Sequence, residues 1–224
     1  MKTMIVITCR NSNINYITNC IKSIRNSGNN DIICVVDSGS PDKSYFNQII
    51  EYDVIIEDIN NQNYIDGAIW YCYEKYKDID YFFILHDSMV VNENLTPITN
   101  NDFTVFSYFE GLPFDSKQQL KYSIDMINSV NLDINNIQLN TLAGLFGTSF
   151  YCKRKILDDL KELGLNRILP TNKLEACASE RIWGIFLHKL GIDIRLNYLR
   201  TFINQNTEFD NKTNYITKIF AGRS

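Results

Sequence analysis

Apolar and polar positions fall into blocks along the first hundred residues, and the period changes from block to block. Residues 4–8 (Met4-Ile5-Val6-Ile7-Thr8) form a near-continuous apolar run that breaks into Cys9-Arg10-Asn11, as a strand buried on both faces does at its exit. Residues 16–26 place Tyr16, Ile17, Cys20, Ile21 and Ile24 at helical spacing. Residues 31–36 predict a second buried strand, closed by the turn-rich Asp37-Ser38-Gly39-Ser40-Pro41-Asp42. A short third strand follows at 54–56, then a helix over 64–76 with Ile65, Ile69, Cys72 and Tyr76 on one face. Residues 81–85 are a fourth, very apolar strand that ends at His86-Asp87-Ser88. This repetition predicts an α/β fold, a mostly parallel central sheet flanked by helices.

The second half is less regular. Its pattern predicts a strand over 103–109, an amphipathic helix over 116–128 and a glycine-interrupted apolar stretch over 142–150. A helix over 153–163, a loop over 166–177, a helix over 179–190 stopped by Gly191 and a late strand over 192–196 follow. The tail from Thr201 is polar until an apolar patch at 215–220. Without repeats, low-complexity blocks or a linker, 1–224 reads as a single domain whose two parts share one core.

Composition narrows the function classes. The 224 residues are 45% hydrophobic and carry a net charge of −4 with no basic block, which argues against nucleic acid or an anionic membrane as the main partner. The first apolar run is too short for a signal core or a membrane span, so a soluble, cytoplasmic chain is expected. The six cysteines form no CxxC pair and sit mostly in apolar runs, as small buried hydrophobes of a reducing compartment do.

Ligands of an open parallel sheet bind at the carboxyl ends of its strands. Three such ends carry polar clusters here: Thr8-Cys9-Arg10, Asp37-Ser38-Gly39-Ser40 and His86-Asp87-Ser88. Each alone is ordinary strand-end polarity; their coincidence on one sheet edge makes a candidate site.

The run Ile33-Cys34-Val35-Val36-Asp37-Ser38-Gly39-Ser40-Pro41-Asp42 resembles the second-strand motif of family 2 glycosyltransferases, Val-Val-Asp-Asp-Gly-Ser-x-Asp. Residues 63–76, with Gly67-Ala68, are similar to the glycine/alanine helix that precedes that family's metal strand. His86-Asp87-Ser88 stands where the family has DxD. Ser179-Glu180-Arg181, on a helix ending at Gly191, is similar to its Glu-Asp dipeptide. The ordered similarities span residues 4 to about 196.

The resemblance implies a GT-A fold, with 1–95 as the nucleotide-sugar-binding half and 96–224 as the acceptor-binding half. It implies transfer of a sugar from a nucleotide-diphosphate donor, UDP-linked by expectation, to a saccharide or other hydroxyl acceptor. Thr8, Arg10, Asp37, Ser38, Asp66, His86, Asp87 and Ser88 would line the donor pocket. Asp87 would hold Mn²⁺ or Mg²⁺, a hard cation suited to neutralising a diphosphate leaving group. Glu180 would be the general base of an inverting transfer, held at a helix start where the dipole keeps it ionised.

The departures from the family pattern are at 86 and 88, where His and Ser replace carboxylates; one acid suffices if phosphate oxygens and water complete the shell, and His86 has an imidazole to offer Mn²⁺. Several residues have two readings. Asp66 contacts ribose or donor sugar, or caps its helix. Trp183 stacks on an acceptor sugar, or fills the core. Arg154 and Arg181 meet the diphosphate, or are surface charges. His188 lies roughly 12 Å along the helix from Glu180 and belongs to surface or packing. The competing functions are a retaining GT-A transferase and a non-catalytic nucleotide-sugar or glycan-binding module. A nucleotidylyltransferase is disfavoured, because Cys9-Arg10-Asn11-Ser12-Asn13 lacks the glycine-rich loop such enzymes need.

Overall fold

A computed structural model describes residues 1–60, 63–110, 116–199, 201–204 and 215–219. The chain runs through β1 (Thr3–Cys9), α1 (Ile14–Asn26), β2 (Ile32–Asp37), α2 (Phe46–Ile49), β3 (Ile55–Asp58), α3 (Tyr64–Lys75), β4 (Tyr81–His86) and β5 (Met89–Val91). It continues through β6 (Phe103–Val105), β7 (Tyr108–Phe109), α4 (Lys117–Ser129), β8 (Gly144–Leu145), β9 (Phe150–Lys153), α5 (Arg154–Glu162), α6 (Lys173–Lys189), β10 (Thr201–Asn204) and β11 (Ile216–Ile219).

The unbroken apolar runs have a direct consequence. Side chains alternate across a strand, so in β1 Met4 and Val6 enter one core while Ile5 and Ile7 enter the other, all fully buried. The first core packs the sheet against α3, α5 and α6; the second packs it against α1 and Tyr45. Burying each such side chain contributes about 1.5–3 kcal/mol, and β1 lies inside the sheet between β2 and β4. The order is β3-β2-β1-β4-β9-β6, with the first four strands parallel and β9 antiparallel to both of its neighbours. A sheet covered on both faces and parallel through four strands is the α/β architecture expected from the pattern.

The second half departs from expectation in specific places. The 103–109 strand is two strands in different sheets: β6 pairs with β9, and β7 pairs with β8. The chain turns between them where Phe106 N donates to Ser149 O at 3.1 Å. Residues 192–196 form a turn rather than a strand, because Asp193 takes the Arg195 N–H on its side chain and the Leu196 N–H on its carbonyl. The edge of β6 is bonded instead by the next segment, through Val105 N to Asn197 O and Leu199 N to Val105 O, both 2.8 Å.

The 166–177 loop is also corrected. Helix α6 begins at Lys173, capped by Asn172, whose side chain accepts from Glu175 N at 3.0 Å. Glu175 reaches back to Thr171 N at 2.7 Å, so the two side chains satisfy donors at the helix start reciprocally.

The polar tail contributes a second, small sheet of order β10-β11-β5. Strand β11 runs antiparallel to β5, with Lys218 opposite Met89. Strand β5 is in turn fastened to α1 by the Val91 N–H, which donates to Ser23 Oγ at 2.9 Å. All six cysteines are unbridged and five are buried. Among the described residues no helix is long and apolar enough to cross a membrane.

Candidate active site

The three polar strand ends meet, as parallel register requires. Thr8 lies beside His86 and Cys9 beside Asp37. The exits are cross-tied: Asp87 N donates to Thr8 O at 3.2 Å, Ser38 N to Cys9 O at 3.0 Å, and Thr8 Oγ1 to Leu85 O at 3.1 Å. Asp37 is fully buried, and both of its oxygens are engaged within the protein. Oδ1 accepts from Ser40 N at 2.7 Å, while Oδ2 accepts from the Ser40 and Tyr45 hydroxyls. Ser40 Oγ also accepts from Asn11 N at 2.7 Å, joining the loops that leave β1 and β2. Asp37 thus builds the floor of the edge. Ser38 and Ser88 are buried too, 3% and 7% exposed.

Arg10 follows the last residue of β1, at the same strand exit. Its guanidinium lies 5.2 Å from the centre of the Tyr64 ring, and its buried Nε has no hydrogen-bond partner. A buried donor left unmatched costs about 1–3 kcal/mol, so the position suits an incoming acceptor such as a nucleotide oxygen or carbonyl.

Glu180 reaches the edge by another route. It lies two turns inside α6, not at its start, so the helix dipole, which acts over the first turn, does not set its charge. What positions it is close packing. Gly184, one turn on, lets α6 approach β8 so tightly that a Cβ there would sit 2.2 Å from Ala143 O. That approach brings Gly147 N to Glu180 Oε1 at 3.0 Å. Gly147 adopts φ +68°, in the left-handed region, and its carbonyl accepts from His86 Nε2. Because a carbonyl only accepts, His86 carries a proton on Nε2 in this contact.

Burial raises the Glu180 carboxyl to about 7, against the opposing influence of Lys218, Arg181, the Gly147 N–H and Lys173. Its side chain is still 23% exposed, so a proton or a hydroxyl can reach it. Arg181 Nη1 is 3.7 Å from Glu180 Oε2, a loose pair, since the same nitrogen donates to Cys177 O. Lys218 completes the group. Burial lowers its ammonium to about 8, with Glu180 and Asp87 opposing that shift.

The residues with two readings resolve inward. Asp66 is 3% exposed, and its Oδ1 accepts from Ser179 Oγ at 2.7 Å and Trp183 Nε1 at 2.6 Å. It ties α3 to α6 beneath the site and does not cap its helix, whose cap is Asn63. Burial raises the Asp66 carboxyl to about 6. Trp183 is a core residue, fully buried and stacked on Trp70. Arg154 is not a surface charge: it donates to the carbonyls of Ile79, Tyr73 and Tyr76 near the start of β4, away from the strand exits. Arg181 is likewise buried, with its guanidinium over the Phe109 ring. His188 is exposed and lines a cleft beside α6 with Thr141, Gly184, Asp193 and Arg195.

Sequence reading missed Gly147, Gly184 and Lys218. The alternation Ile216-Thr217-Lys218-Ile219 was a strand signal within the apolar patch, but its partner strand was not legible.

For a divalent metal, the described residues offer a small donor set. Asp87, 4% exposed, is the one carboxylate in 86–88, and no group of three His, Cys, Asp or Glu forms among the described residues. His86 Nε2 is engaged with Gly147. One carboxylate fits a hard cation whose remaining ligands are phosphate oxygens and water.

No protein-family model and no curated protein sequence matches the chain. Solved structures do. TarS of S. aureus aligns over 99% of this chain and 37% of its own, at 10% identity and a TM-score of 0.54. Core-mannan synthase A from Aspergillus fumigatus, in its Mn/GDP form, aligns over 89% and 72%, at 8% identity and 0.55. GalNAc-T7 with UDP, GalNAc and Mn²⁺ aligns over 81% and 40%, at 13% identity and 0.51. The chain spans little more than a third of the TarS length. Its parallel sheet, flanking helices and strand order place it in the fold of the GT-A glycosyltransferases.

Proposed function

We propose that the protein is a glycosyltransferase that moves a sugar from a nucleotide-diphosphate donor, UDP-linked in our reading, to a saccharide or other hydroxyl acceptor. The observation that carries the reading is the link from Glu180 through Gly147 to His86, which sets a carboxylate of the second half against the strand end holding Asp87. In this reading the half comprising 1–95 binds the nucleotide sugar and the half comprising 96–224 binds the acceptor. Similar structures solved with UDP or GDP and Mn²⁺ support the donor class and a divalent cation.

The residues divide the work by position. Arg10, with its unmatched Nε, meets the nucleoside over the floor built by Thr8, Asp37 and Ser38. Asp87 would hold Mn²⁺ or Mg²⁺, with Ser88 and His86 beside it. The ion would neutralise the departing diphosphate. Glu180 takes the proton of the acceptor hydroxyl. A carboxyl near 7 is matched to that task at neutral pH, because about half of the molecules carry it ionised and it is basic enough to accept a proton. A base on the acceptor side permits single displacement with inversion. Asp66 acts beneath the site by holding α3 to α6.

The test is hydrolysis and transfer. The protein is incubated with UDP-glucose, UDP-GlcNAc, UDP-GalNAc and GDP-mannose in Mn²⁺, and released nucleotide is measured. Release from at least one donor is expected. Binding of a donor without release from any of them would leave a nucleotide-sugar-binding module.

A further inference from the structure

Strand β11 places a lysine at the strand end that, in the proposed reading, receives the donor's diphosphate. Strand β11 pairs with β5 so that Lys218 stands opposite Met89, two residues beyond Asp87. Its Nζ lies where it would be 2.5 Å from a Cβ on Gly147, and His86 Nε2 would be 3.0 Å from the same point. The ammonium therefore sits against Gly147 on the side that His86 Nε2 also approaches, and the Gly147 N–H holds Glu180. The Phe146 ring centre is 5.2 Å from the Lys218 Nζ.

Burying an ammonium is unfavourable unless charge compensates it. Asp87 and Glu180 are the carboxylates whose charges act on it, and Lys173 is the nearby cation that opposes it. The same two carboxylates face any incoming diphosphate and would repel it. Other cations are placed differently. Arg10 stands at the β1 exit over Tyr64, and Arg181 is engaged with Cys177 O and Phe109. Gly147 has a left-handed φ of +68° and no side chain, which leaves room for both Lys218 and His86.

We infer that Lys218 is a ligand of the donor's diphosphate, supplying a fixed positive charge beside Asp87 that is present with or without a bound metal. The inference rests on the proposed nucleotide-sugar reading and adds a binding residue to it. With one carboxylate in 86–88 to hold a dication, part of the charge on the leaving group is carried by the protein itself. An ammonium offers three donors on a flexible stem and acts as a point charge on phosphate oxygens.

Calorimetry of UDP and GDP binding tests this, in EDTA and in Mn²⁺, for the full chain, K218M and K218R. Melting curves confirm that each variant is folded. K218M is expected to weaken binding of the preferred nucleotide at least tenfold in both buffers, and K218R to stay within about threefold of the unaltered protein. The free nucleosides, which lack the diphosphate, should bind all three proteins alike. A folded K218M that binds within twofold of the unaltered protein in both buffers overturns the assignment and leaves the transferase reading standing. Failure of both nucleotides to bind the unaltered protein in either buffer would sink the transferase reading and this inference with it.

Discussion

Glu180 and His86 meet on opposite sides of one residue: the Gly147 N–H donates to Glu180 Oε1 at 3.0 Å, and the Gly147 carbonyl accepts from His86 Nε2. A helix of the second half and a strand end of the first are thereby set relative to one another by a single glycine.

Glu180→Gln keeps an oxygen for the Gly147 N–H and loses the capacity to accept a proton. Transfer should fall roughly 10²–10⁴-fold while the donor dissociation constant stays the same. Single-turnover rates and donor calorimetry separate the two. The product of the unaltered protein should have inverted anomeric configuration by NMR; retention would keep the fold and discard single displacement.

The pH profile carries the sign of the Glu180 environment. Its carboxyl is raised to about 7, so kcat/KM should climb as pH rises through that value, and fall again above about 8 as the Lys218 ammonium loses its charge. The groups that face it, Lys218, Arg181 and Lys173, are all cationic and oppose the rise. A profile already flat from pH 5 upward would remove Glu180 as the base.

Asp66 links pH to stability. Its folded carboxyl is raised to about 6 from an unfolded value of 3.8, so its contribution is fully present below about 4 and is lost as pH rises through 6. Asp66→Asn keeps an oxygen for Ser179 and Trp183 and removes the charge. The variant should be more stable than the unaltered chain above pH 6, by about 3 kcal/mol, and the difference should shrink toward pH 4. Urea unfolding across that range measures it, and a pH-independent difference would contradict the linkage.

Gly184→Ala tests the close approach that aims Glu180. The added Cβ would meet Ala143 O at 2.2 Å, backbone that has no rotamer to change. A loss of about 1–3 kcal/mol is expected. Transfer should fall further than stability requires, because α6 must move and Glu180 with it. An unchanged melting temperature would show that the contact is not tight.

Asp87→Ala should remove the gain in UDP affinity that Mn²⁺ brings over EDTA, since Asp87 is the one carboxylate in 86–88. Titrations of both proteins in both buffers decide it. A gain that survives the substitution would place the ion elsewhere.

The amino-acid sequence determined the sheet and its polar edge without help. Strands β1, β2 and β4 are buried on both faces, so their runs are apolar throughout, and the helices between them carry the 3.6-residue period. Any parallel packing of such strands brings their exits to one side, and Thr8, Asp37 and Asp87 were legible there for that reason. The sequence did not say which way those side chains would turn. Asp37 and Asp66 look like ligands in one dimension, yet partners distant in the chain or across a turn claim their oxygens. The start of α6 was hidden because Asn172 and Glu175 act as caps only once the helix exists. The short strands β5, β8 and β11 have too few residues to show a period, and their stability comes from neighbours far along the chain. Tertiary structure alone therefore decided that Lys218 stands beside Asp87 and that Gly147 joins Glu180 to His86. Charges and hydrogen bonds act over a few ångströms of space, and at this site those distances are set by packing between segments that the sequence keeps far apart.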